Sequence, residues 1–169
     1  MKLFVAITDS DWFNYLSNTC PDEVNFWQPS ASSQFRALSP GEPLLFKLHS
    51  PENYVVGGGF FSHFTVLPAS FAWAAFGPKN GAATEGEMRK RIERYRRIEP
   101  NANEDYSVGC ILLQSPFFFN REQWIPVPGW RRSSRTSSAV WQCGHVTVII
   151  VLPSLACSPI CGVCSSGAV

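Results

Sequence analysis

Residues 54–67 read YVVGGGFFSHFTVL, and this stretch decides the fold. Valine, phenylalanine, tyrosine and threonine in near-continuous succession suit a pleated surface. Three adjacent glycines at 57–59 would penalise a helix heavily. The stretch therefore reads as one unusually long strand, ended by Pro68. Glycine inside a strand has two meanings: a bulge or sharp bend of a barrel, or backbone lying close against a ligand. A phosphate loop is not expected, because G-x-x-x-x-G-K-[ST] is absent and no helix begins after the glycines.

Working outward, Pro51-Glu52-Asn53 is a turn, and Pro43–His49 (PLLFKLH) is a strand with Lys47 interrupting an apolar run. Glu23–Pro29 and Lys2–Thr8 supply two earlier strands, separated by a short helix that Asp9 or Ser10 caps and that buries Trp12, Phe13 and Leu16. On the other side, Ser70–Phe76 gives one or two helical turns ended by Gly77-Pro78. A capping box, Thr84-x-x-Glu87, then opens a helix with Met88, Ile92 and Tyr95 on its buried stripe. Val108–Gln114 and Pro116–Phe119 form a fifth strand kinked at Pro116, and Trp124–Val127 a short sixth. The predicted class is α+β: a small, strongly curved β-barrel or half-barrel of about five or six strands with two or three short helices.

The charge is unevenly placed. All thirteen acids precede residue 131, beside eleven basic residues, which leaves −2; residues 131–169 hold three arginines and no acid. That balance excludes a globally polyanion-binding composition. The expected organisation is a folded domain over 1–130 and an atypical acid-free tail over 131–169, disordered or read from a shifted frame. Val146–Leu152 is its one strand-length apolar run. The apolar start at Met1–Ile7 is cut off by Thr8-Asp9-Ser10-Asp11, too early for a signal peptide, so a cytoplasmic location is expected. No run reaches the ~20 apolar residues of a membrane span.

Catalysis is not visible: no Ser/His/Asp set, no fixed pair of carboxylates and no H-E-x-x-H occurs. His49 and His63 sit singly on strand patterns. Cys157-x-x-x-Cys161-x-x-Cys164 has an iron–sulfur spacing, and Cys143, His145, Cys161 and Cys164 have zinc-ligand chemistry. Their serine-rich surroundings lack any amphipathic period, and no metal or other cofactor is expected. Helix 84–97 carries six basic residues against four acids over 85–99, a solvated outer face or a weak phosphate-tracking one. Asn25, Trp27, Gln28 and Phe35 lie at a strand end and loop, with Phe60 and Phe61 after the glycines. Aromatic faces with one or two amides can hold a planar base, or can simply fill the core.

The runs MKLFVAITDSDWFNYL (1–16), DEVNFWQPS (22–30), PGEPLLFKLH (40–49), VGGGFF (56–61), FGPKNGA (76–82), RIERYRR (91–97), GCILLQSPFFF (109–119) and WIPVP (124–128) together carry a resemblance. They resemble the N-terminal region of predicted bacterial restriction endonucleases that end in an HNH nuclease domain. More loosely, the chain is similar to the PUA/EVE/ASCH group of small β-barrels. The resemblance implies a PUA-like or EVE-like domain that binds double-stranded DNA carrying a modified cytosine, flipping that base into an aromatic pocket. Trp27, Gln28, Phe60 and Phe61 would surround the base, with Arg36, Lys47 and Lys79 near phosphates. A PUA-like module recognising a modified RNA base, or a non-functional truncated product, is the alternative. Members of that endonuclease family continue with a His-Asn-His metal site. Here His145 is the single histidine after residue 130, with no carboxylate side chain or asparagine beside it. A fragment truncated before its nuclease, inactive in cleavage, is expected.

Overall fold

The computed structural model describes residues 2–31, 34–101 and 104–127, and the backbone of 138–143 and 146–151. The elements run β1 (Lys2–Thr8), α1 (Ser10–Thr19), β2 (Glu23–Gln28), β3 (Pro43–Leu48), β4 (Tyr54–Pro68), α2 (Ala69–Phe76), α3 (Glu85–Arg96), β5 (Ser107–Phe118), β6 (Ile125–Pro126), β7 (Ser138–Cys143) and β8 (Val146–Val151). The sheet order is β2-β5-β4-β3-β1-β8-β7, with β6 beside β4. β1 pairs in parallel with both β3 and β8, and all other pairings are antiparallel. The α+β class is as predicted, but among the described residues the sheet is open and does not close into a barrel. β7 and β8 fall within the acid-free tail, and β8 lies along β1 in register from Lys2↔Thr147 to Ala6↔Val151. Leu152 and the tail cysteines other than Cys143 lie outside the described residues, as does His145.

Each sheet face has its own core, and alternation along β5 makes the division plain. Ile111 and Leu113 point to one side with Phe4, Phe46, Val24 and Phe61, under Trp12, Phe13 and Leu16 of α1. Val108, Cys110 and Leu112 point to the other with Trp27, under Ala69 and Ala72 of α2 and Met88 and Ile92 of α3. The helix starts follow the sequence signals. Asp9 Oδ1 accepts Trp12 N–H at 2.7 Å, and Thr84 Oγ1 accepts Glu87 N–H at 3.2 Å.

The glycine run serves the sheet itself. A Cβ on Gly57 would overlap the carbonyl oxygen of Phe117; one on Gly58 would lie 2.6 Å from Leu44 O and 2.8 Å from the Phe117 ring. The β4–β5 register shifts between Gly58 and Phe60 and again between Phe61 and His63. The bulge reading of these glycines is therefore the one realised: strands β3, β4 and β5 approach too closely here for a side chain. The β5 kink is also real. Ser115 takes φ 46° before Pro116, and the strand continues through it to Phe118.

Candidate functional site

The four residues expected around a base do not line one pocket. Trp27 is 8% exposed and faces α2 and α3, its Nε1–H donating to Asn80 O at 3.0 Å. Phe61 is 6% exposed on the opposite face, tilted against Phe35 at 5.3 Å. Gln28 ends β2 opposite Gly109, where a Cβ would come within 3.3 Å of its Oε1. Phe60 is the exposed member, 42% accessible and 6.2 Å from Phe117. The cations are equally dispersed. Arg36 bonds Gln34 Oε1 on the surface, and Lys79 is clamped by Asp22 at 2.7 Å and Glu23 at 3.3 Å. Lys47 is buried, donating to Leu48 O at 3.0 Å and Asn53 Oδ1 at 2.8 Å. Burial pulls its ammonium below the usual lysine range.

An aromatic cleft of about 470 Å³ lies instead between the C-terminal end of α1 and the chain from Pro116 to Trp124. Its walls are Phe13, Phe117, Phe118, Phe119 and Trp124, and Ser17, Asn18, Asn120 and Arg121 give it a polar rim. Three successive phenylalanines cannot all face inward on a pleated strand. Phe118 takes the core position, 6.0 Å from Phe13 and 6.1 Å from Phe46, while Phe117 and Phe119 meet each other at 5.5 Å. Gly58 makes room for the Phe117 ring. The glycine run thus shapes this wall indirectly.

Trp124 is fixed at the far side. Its Nε1–H donates to Phe119 O at 3.1 Å, and its ring meets Phe13 edge-on at 5.6 Å and Tyr54 at 5.8 Å. The Arg121 guanidinium lies over the same ring at 4.1 Å. A short 3-10 turn, Arg121–Gln123, holds this geometry through a capping box, Gln123 Oε1 accepting Asn120 N–H at 3.2 Å. The cleft offers what a planar, partly polar ring needs: aromatic faces, amides at the edge and one cation. The sequence signal that locates it is the Pro-Phe-Phe-Phe-Asn-Arg run at 116–121, whose outward phenylalanines need a partner.

The basic helix is largely occupied with its own fold. Arg89 donates to Asn101 O and Glu104 O, Arg91 to Gly81 O, and Arg96 to Pro29 O and Ser107 O. Arg89 and Arg96 also cover the Tyr106 ring at 5.0 and 5.2 Å. Arg94 pairs with Asp9 at 3.5 Å, and Tyr95 donates its hydroxyl to Asp9 at 2.6 Å. Burial, and then that bond, push the Tyr95 hydroxyl well above its ordinary range. Nearby, burial holds the His49 imidazole below its ordinary value; Asp9 pulls it back up, and Lys47 pushes it down. Among the described residues no group of three His, Cys, Asp or Glu could hold a metal, and no helix is long and apolar enough to cross a membrane.

No family model and no curated protein matches the chain. Among solved structures it is similar to an ASCH protein from Zymomonas mobilis, at 11% identity and a TM-score of 0.44, covering 76% of this chain and 86% of that one. Two point variants of that protein are similar at 11% and 10% identity, with the same score, covering 87% and 88% of theirs.

Proposed function

We propose that this chain is a nucleic-acid-binding module that takes one unstacked base into the aromatic cleft beside Trp124. The observation that carries this reading is the cleft's composition: aromatic walls, two asparagines and an arginine around about 470 Å³. Extruding a base costs a few kcal/mol, which stacking and edge hydrogen bonds recover inside such a pocket. Asn18, at the exposed end of α1, and Asn120, at the start of the 3-10 turn, both line the cleft and supply amides for the edge of a stacked ring. The resemblance to the N-terminal region of restriction endonucleases favours duplex DNA with a modified cytosine as the source of that base. On this reading the chain recognises and does not cut.

The test is a binding titration with duplex DNA carrying 5-methylcytosine or 5-hydroxymethylcytosine, unmodified duplex and single-stranded RNA. Modified duplex should bind best. Phe117→Ala and Trp124→Ala should each weaken it by about 1–3 kcal/mol, the worth of one stacked base. Stronger binding of single-stranded RNA would move the reading to an RNA-binding module. Equal binding of all ligands, unaffected by both substitutions, would remove the cleft from it.

A further inference from the structure

We propose that Arg121 is a displaceable plug: its guanidinium occupies the Trp124 face on which an incoming base stacks, and on displacement it pairs with the adjoining phosphate. The inference rests on the base-binding reading of the cleft and specifies how that site is kept closed. A guanidinium is planar, delocalised and weakly hydrated, which makes it the side chain that best imitates a stacked ring. At 4.1 Å over Trp124 it fills the stacking position.

The two partners differ in how firmly they are held. Trp124 is anchored by its bond to Phe119 O and by the rings of Phe13 and Tyr54. Arg121 is exposed and, among the described residues, its guanidinium donates to no oxygen. The guanidinium groups of Arg36, Arg89, Arg91, Arg94 and Arg96 all do. When one of this pair yields, it is the arginine. An exposed cation–π contact is weak, so removing the plug should improve occupancy of the bare face about two- to fivefold. Once displaced, the cation gains a phosphate oxygen as partner, a charge-assisted and often bidentate contact. Arg121 is thus expected to oppose a neutral base and to favour a nucleotide in a strand.

The experiment compares the whole chain with its Arg121→Ala and Arg121→Lys variants against two probes. One is the neutral nucleoside 5-methyl-2′-deoxycytidine; the other is a duplex containing 5-methylcytosine, titrated between 50 and 200 mM salt. Arg121→Ala should bind the nucleoside about two- to fivefold more tightly. It should bind the duplex more weakly, with the salt slope reduced by about 0.9 for one lost phosphate contact. Arg121→Lys, which keeps the charge without the plane, should bind the nucleoside as Arg121→Ala does and keep the wild-type slope. Nucleoside binding that weakens or stays constant in Arg121→Ala, or an unchanged salt slope, overturns the plug. Phe117→Ala separates the two levels: if it weakens the duplex while the Arg121 pattern fails, the cleft stands and only the plug is wrong. If no probe binds, both fall.

Discussion

A single methyl group added at Gly57 is the sharpest probe of what the glycine run does. Its Cβ would overlap the Phe117 carbonyl oxygen, a backbone atom that cannot rotate away. Gly57→Ala should therefore lower stability by about 1–3 kcal/mol, as overpacking does, read from the urea midpoint. Gly41→Ala meets nothing within 4 Å, but at φ 85° it carries the backbone strain of a left-handed residue. The two substitutions separate steric contact from conformational cost. If Gly57→Ala were neutral, the strands would be able to part, and the ligand-approach reading of the glycines would return.

At the level of elements, α3 shows what a count of charges leaves out. Six basic residues over the fourteen positions 84–97 look like a solvated or phosphate-tracking face. Backbone carbonyl oxygens of other segments bond Arg89, Arg91 and Arg96, and such acceptors leave no trace in a sequence. Arg96→Ala should cost about 2 kcal/mol, through lost charge-assisted bonds to Pro29 and Ser107 and lost cover over Tyr106. Its effect on the salt slope of DNA binding should be negligible. A slope that falls by about 0.9 would instead make it a phosphate contact. Element ends were readable because proline, glycine and capping residues mark them: Asp9 and Thr84 both cap as expected. The placement of Phe60 and Phe61 was not, because two register shifts inside β4 break the period-two count through them. Parity along β2 likewise says that Trp27 and Phe26 face opposite ways, but not which side is core. Both sides are, so Trp27 is buried under the helices.

For the whole molecule, half-buried and bonded titratable groups give stability a pH signature. His49, just after β3, has a folded pKa below its ordinary 6.5, chiefly through burial. The unfolded chain then binds more protons in the window beneath 6.5, so stability falls as pH drops through it. Asp9 and Glu52 moderate the shift; Lys47 and Arg94 deepen it. Asp22, held low by its bond from Lys79, and Glu42, held low by Ser39 N–H, lose their contributions only below about pH 4. The melting temperature should therefore decline between pH 6.5 and 5, and His49→Gln should flatten that decline; an unaltered slope would refute the assignment. Lys47 acts at the other end. With a lowered folded pKa, it raises stability as pH climbs from that value toward 10.5.

The carbonyl-bound arginines of α3 also bear on how such a module would find its target. Sliding along a duplex requires a mobile cationic film that exchanges one phosphate for the next without a barrier. Side chains pinned to Pro29, Gly81, Asn101, Glu104 and Ser107 cannot exchange in that way. If the chain reads bases in duplex DNA as proposed, Arg89, Arg91 and Arg96 would add little to such a film, and entry of a base into the cleft would do most to hold it at a site.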